Sequence, residues 1–264
     1  VPETLALARE SSFYALLFRV DENMQFQNPY SIDGMSSAAF AVESERTAFI
    51  RRTYLHLAGA VFAFIALEAL LLNLISPQVI ANVLGPAGNW APLVMLVAFM
   101  AVSWVARSWA ESGSSPSWQY AGLSLYVVAE ALIFVPIMHI AISMTNSPAI
   151  PIQAGLITAI VFAALTAFVF LTKADLSSWG SYLGMAGLGL LAVAIAGMVF
   201  GFSLGLFFSG AMIVLLCGYI MYDTSNVLHR FQTNQHVAAS LALFASVATL
   251  MWYVMRLLMS MRND

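Results

Sequence analysis

The chain has 264 residues, of which 61% are hydrophobic and 9% charged. A soluble domain carries about 25% charged residues, so a water-facing surface is excluded for a chain of this size and a lipid-facing one is required. The formal net charge of −3 with 10 Lys plus Arg gives no basic field for nucleic acid. The single cysteine, Cys217, excludes an internal disulfide and a multi-thiolate metal site.

Residues 1–45 differ in composition from the rest: Glu3, Arg9, Glu10, Arg19, Asp21, Glu22, Asp33, Glu43 and Glu45 gather a large share of the charge there. A secretory signal would need a positive start and an unbroken apolar run, and the chain opens on Val1 rather than Met, so its natural start is expected to be missing or trimmed. The run Phe13–Phe18 is too short to span a bilayer. The stretch therefore reads as a partly flexible charged tail, with the alternative of an amphipathic surface turn or partner contact.

From Arg46 onward the chain is a series of apolar runs near the roughly 20 residues that cross a bilayer. They fall at 53–75, 91–110, 118–143, 152–172, 179–200, 206–225 and 237–258. No run alternates, so a barrel is excluded, and the connections are short, with breaks at Ser76-Pro77, Gly85-Pro86, Ser115-Pro116 and Ser147-Pro148. The expected fold is an all-α membrane domain of seven helices over 46–264.

Basic residues set the expected sidedness. Arg46, Arg51 and Arg52 precede the first span, and Arg107, Lys173 and Arg230 lie at alternate turns, whereas loops 76–90, 144–151 and 201–205 have none. That alternation puts the N-terminus in the cytoplasm, with Arg256 and Arg262 as the exception. In the fifth span, Gly180-x-x-x-Gly184 and Gly197-x-x-x-Gly201 have the spacing of a close helix contact.

Charged groups inside hydrocarbon cost roughly 2.5–3.5 kcal/mol each on insertion scales and face the bundle interior or water. Glu68, Glu130, His139 and Asp223 are such groups. Glu68 and Glu130 have two readings, as neutral hydrogen-bonding ties between helices or as stops on an ion or proton route. Pro136, which frees the carbonyl of Leu132, adds a loose oxygen near Glu130. His139 lies nine positions after Glu130, half a turn out of phase, so the two face opposite ways and His139 reads as an interfacial polar residue.

Tyr219, Asp223, Asn226 and Arg230 fall at i, i+4, i+7 and i+11, one helical face; Ser246, Thr249, Tyr253 and Arg256 repeat the pattern on the next span. Two polar stripes on consecutive antiparallel helices predict a narrow hydrated seam between them. The alternative is that Asp223 merely ends the sixth span and meets Arg230 among the headgroups. Enzymatic readings fail. No Gly-x-Ser-Gly nucleophile turn or His-Glu-x-x-His zinc motif occurs, and His229 and His236, expected on a loop, have weak metal spacing.

The segment Cys217-Gly218-Tyr219-Ile220-Met221-Tyr222-Asp223-Thr224-Ser225-Asn226-Val227 resembles the signature of the Bax inhibitor, or transmembrane Bax inhibitor motif, family. Leu171-Thr172-Lys173-Ala174-Asp175-Leu176-Ser177 is similar to the family's turn after the fourth span, and Arg51-Arg52-Thr53-Tyr54-Leu55 to the start of its first. The resemblance implies a seven-helix bundle with a central helix and no catalytic role. It also implies either a pH-sensitive leak of Ca2+ or another cation, or, in the bacterial YccA type, modulation of the membrane protease FtsH in membrane protein quality control. In the family two aspartates on the last two spans share a proton and latch the pore. The first matches Asp223. The second falls at Ser246, and a neighbouring Asn at Thr249. A carboxylate pair holds a proton because two like charges cannot both ionise; Asp with Ser has no such coupling, so a weaker pH dependence is expected. Serine there resembles the YccA type, which favours the protease-modulating reading. The resemblance further implies the bilayer as partner, a bacterial inner membrane as location, and no resident cofactor, Ca2+ or H+ being transient passengers.

Overall fold

The computed structural model describes residues 37–111, 115–202 and 204–263. Most of the charged tail, including Phe13–Phe18, lies outside the described residues. The elements are α1 (Glu43–Leu74), α2 (Pro77–Leu84), a 3₁₀ turn (Gly85–Trp90), α3 (Ala91–Ala110), α4 (Pro116–Thr145), α5 (Ala149–Thr172), α6 (Trp179–Phe200), α7 (Leu206–His229) and α8 (His236–Asn263). Seven spans are long and apolar enough to cross a membrane, the second running from Pro77 to Ala110. Among the described residues there is no sheet; Ser37 and Gln232 form an isolated antiparallel bridge, and the Ala38 amide donates to the Phe231 carbonyl at 2.9 Å. The chain just before α1 and the α7–α8 turn therefore lie at the same end of the bundle.

Several boundaries differ from those expected. The stretch 76–90 is not a loop: Pro77 preorganises the first turn of α2, and the reversal into α3 is made at Gly88, whose φ of +53° suits glycine. Helix α1 starts at Glu43, so Arg46, Arg51 and Arg52 lie within it; Glu43 and Glu45 in its first turn complement the helix dipole. Helix α7 runs on to His229 rather than stopping at 225, because Thr224, Ser225 and Asn226 are buried against neighbouring helices instead of facing headgroup water. His229 and His236 consequently end one helix and begin the next. Helix α4 continues through Pro136.

Helix α8 is the axis. Its span is 67% buried, against 6–50% for the others, and it packs on α1, α3, α4, α5 and α7. An aromatic column joins three of these elements: Phe64 of α1 meets Phe134 of α4 at 5.1 Å, and Phe134 meets Trp252 of α8 at 5.1 Å, all edge-on. Apolar side chains such as Phe62, Ile160, Leu188 and Val214 face outward, as lipid requires. Helices α3 and α4 approach most closely at Gly122, where a Cβ would strike the Ala106 carbonyl and lie 2.7 Å from the Ala110 amide. The expected small-residue contact of α6 is realised in part. A Cβ at Gly180 would lie 2.7 Å from the Tyr222 hydroxyl of α7 and one at Gly187 3.1 Å from that of Tyr219, but Gly184 has open space and Gly201 is the left-handed end of α6.

Candidate functional site

Asp223 lies two turns before the end of α7 and turns toward α8. The Ser246 hydroxyl donates to its Oδ2 at 2.6 Å, the short distance of a charge-assisted bond. Asp223 is half-buried and Ser246 is buried. The helix continues six residues past Asp223, so the aspartate does not end the span. The polar stripes of α7 and α8 thus meet, but at one contact. Thr249 turns its hydroxyl back to the Ala245 carbonyl of its own helix at 2.7 Å, and Arg230 is exposed. Asn226 is buried with its Oδ1 unpartnered. Tyr219 leans on α6 through Gly187, while Tyr253 packs on Phe208 at 6.1 Å and lies under Arg256.

The residues around Asp223 bind a different element each. Tyr222 reaches α6 at Gly180. Ser225, fully buried, accepts from the Leu176 amide at 2.8 Å and donates to the Ala174 carbonyl at 3.0 Å. It therefore holds the α5–α6 turn against α7. In that turn the Ser177 amide donates to Asp175 Oδ1 at 3.0 Å, and this bond and the Ser177 hydroxyl hold the exposed Asp175 carboxyl below its ordinary value of 3.8. The third sequence stretch arrives at the same end of the bundle. Ser240 of α8 donates to the Thr53 carbonyl at 2.9 Å, and the Tyr54 ring meets Phe170 of α5 edge-on at 5.8 Å. Three stretches far apart in sequence are thus held together through α5, α7 and α8.

Glu68 and Glu130 stand apart from this contact. Both are buried, at 5% and 3% exposure, and Glu130 Oε2 and both Glu68 oxygens lack a hydrogen-bond partner. His139 does not idle at the interface: its Nε2 donates to the Ile75 carbonyl at 2.7 Å, satisfying an acceptor just past the end of α1. Among the described residues no group of three or more His, Cys, Asp and Glu is placed to hold a metal.

Sequence reasoning missed Ser240 and Arg107 as parts of this region, and held Ser225 only as a member of the signature segment. The two serines carry no signal beyond their type, since a buried hydroxyl is recognised only by its partner. Arg107, used above only for sidedness, acts electrostatically on both Glu130 and Asp223 and lies 5.7 Å from the Tyr126 ring centre. Its place in the last turn of a span opposite two acidic spans was the available signal.

A bundle of apolar spans around an enclosed axial helix, with an aspartate bonded between the last two, defines a polytopic membrane protein. The family model described as "Inhibitor of apoptosis-promoting Bax1" matches residues 46–263, and the chain belongs to this Bax-inhibitor family, whose members are not catalytic enzymes. It is similar to Bax inhibitor 1 of Schizosaccharomyces pombe, 32% identical over 123 residues, 45% of each chain. To protein lifeguard 4 of Mus musculus it is 31% identical over 109 residues, 40% of this chain and 45% of the relative. An uncharacterized membrane protein of Vibrio cholerae is 28% identical over 131 residues, 49% of this chain and 58% of the relative. The chain matches about half the length of these curated relatives.

Proposed function

We propose that this membrane protein is a cation leak whose closed state is held by the bond between Asp223 and Ser246. The observation that carries the reading is the 2.6 Å contact itself: an anionic side chain joins the enclosed axial helix to its neighbour through one hydroxyl. A hydrogen bond to a charged group contributes about 1.5–3 kcal/mol, enough to bias an open–closed equilibrium roughly 10–100-fold. Released from α8, the carboxylate would offer a cation an acceptor at the start of a route continued by Glu130 and Glu68. Ca2+ or H+ are the passengers this chemistry suits, without a resident cofactor. Purified protein in liposomes with a trapped Ca2+ dye tests this directly. Flux equal to that of empty liposomes from acid to neutral pH overturns it.

A second reading, modulation of an FtsH-type membrane protease, is supported by one feature: serine rather than aspartate at position 246 resembles the YccA type. In that reading the charged stretch 1–45 is the handle for the partner. Affinity purification from native membranes that recovers no protease, together with no effect of deleting 1–45, removes it. Both readings suit a bacterial inner membrane with the N-terminal side in the cytoplasm, as the alternation of basic residues favours; relatives in Vibrio cholerae and Pseudomonas aeruginosa agree with a bacterial setting.

A further inference from the structure

We infer that the lateral groove between α1 and α5 is a binding site for a single-chain amphiphilic amine, whose ammonium group is taken by Glu68. The groove encloses about 890 Å³, within the range of small-molecule sites. Its walls are α1 and α5 and its floor is α4 and α8. It opens toward lipid, because Phe62, Ile65, Ile152 and Leu156 along its rim are exposed. The lining is mostly apolar, yet Glu68 contributes a carboxyl with both oxygens unpartnered at 5% exposure, Thr158 a hydroxyl unpartnered at 3%, and Tyr54 an unpartnered hydroxyl at the far end.

Unpartnered polar groups in a hydrocarbon-lined groove cost free energy unless something fills them. A carboxylate asks for a cation, and no Lys, Arg or His lines the groove. A cation that pairs with it would therefore come from a ligand. A primary ammonium carries three N–H donors, enough to serve both Glu68 oxygens with one left over. The groove extends from Glu68 along α1 to Tyr54, 14 residues or about 21 Å, longer than a leaflet's share of the roughly 30 Å hydrocarbon core. One extended alkyl chain fits that length. A two-chain ethanolamine phospholipid fits less well, since its phosphate would meet no cation in the groove. This inference shares Glu68 with the proposed cation route but is tested by amine binding, which does not depend on flux.

Native mass spectrometry of the full chain with hexadecylamine, hexadecanol and hexadecanoic acid tests the assignment. The expected result is a one-to-one adduct with the amine and little with the alcohol or acid. Glu68→Gln should lower amine retention about 30-fold or more, the loss expected when one partner of a buried charge pair is truncated, with Tm unchanged. Gly155→Leu gives a second arm that leaves the carboxyl intact: a Cβ at Gly155 meets open space, so the added side chain fills the groove without crowding the fold, and amine binding should fall. Equal retention of alcohol and amine overturns the proposal, as does undiminished amine binding in Glu68→Gln. If Glu68→Gln fails to fold, undiminished binding in Gly155→Leu overturns it alone. A phospholipid that the amine cannot displace also counts against it.

Discussion

Asp223 and Ser246 hold two helices with one bond, so the chemistry of that bond is open to single substitutions. Ser246→Ala removes the donor, and Ca2+ flux into dye-loaded liposomes should rise about tenfold or more, the lower bound for losing a charged hydrogen bond. Ser246→Asp should instead create a carboxylate pair sharing one proton, and flux should become steeply pH-dependent; a flat pH profile would count against the latch. Ser225 is a different kind of residue, whose hydroxyl ties the α5–α6 turn to α7 within the protein. Ser225→Ala strands a partly buried amide and carbonyl, and the thermal unfolding midpoint in detergent should fall by the equivalent of about 1 kcal/mol. The stripe on α7 was legible because spacing fixes the angular position of a side chain. Spacing does not fix its rotamer. Thr249 sits on the expected face and still bonds to its own backbone, and Arg230 is carried past the packed end of α7 into solvent.

At the scale of elements, the tightest constraint is the α3–α4 approach at Gly122. Gly122→Ala should force these helices apart and cost about 1–3 kcal/mol, the range for overpacking a dense contact, measurable as a lowered unfolding midpoint; Gly184→Ala, facing open space, is the control that should leave it unchanged. The α5–α6 turn gives a pH-dependent test. Because the folded Asp175 carboxyl is held below 3.8, its contribution to stability is fully present above that value and is lost as pH falls through the lowered one. Asp175→Asn should therefore unfold at a lower temperature than the parent at neutral pH, and the difference should vanish in strong acid. The turn was visible in sequence as a break between apolar runs. The helical content of 77–90 was not, because Pro and Gly mark helix starts and reversals as readily as loops. The extra turn of α7 was hidden for the opposite reason, since a polar run at a span's end looks like headgroup chemistry until its burial is known.

For the whole molecule, seven spans could be read from hydropathy alone, but the identity of the axial helix could not; the family resemblance implied a central helix without saying which span it is. Mean hydropathy is 1.8 for the span of α8 and 1.7–2.5 for the other six, although α8 is by far the most enclosed. Lipid and protein interior are both apolar, so hydropathy distinguishes membrane from water and not core from periphery. The two acidic residues away from Asp223 illustrate the same limit: sequence marked Glu68 and Glu130 as costly, and only packing separates the groove-lining carboxyl from the other. The position of α8 has a consequence for biosynthesis. Of the seven spans it is the last to be made, so the helices that pack on it, α1, α3, α4, α5 and α7, are made before their shared partner. Until the final segment slides in, their inward polar atoms face lipid or water, and a quality-control protease would meet the nascent chain in its most vulnerable form during that interval.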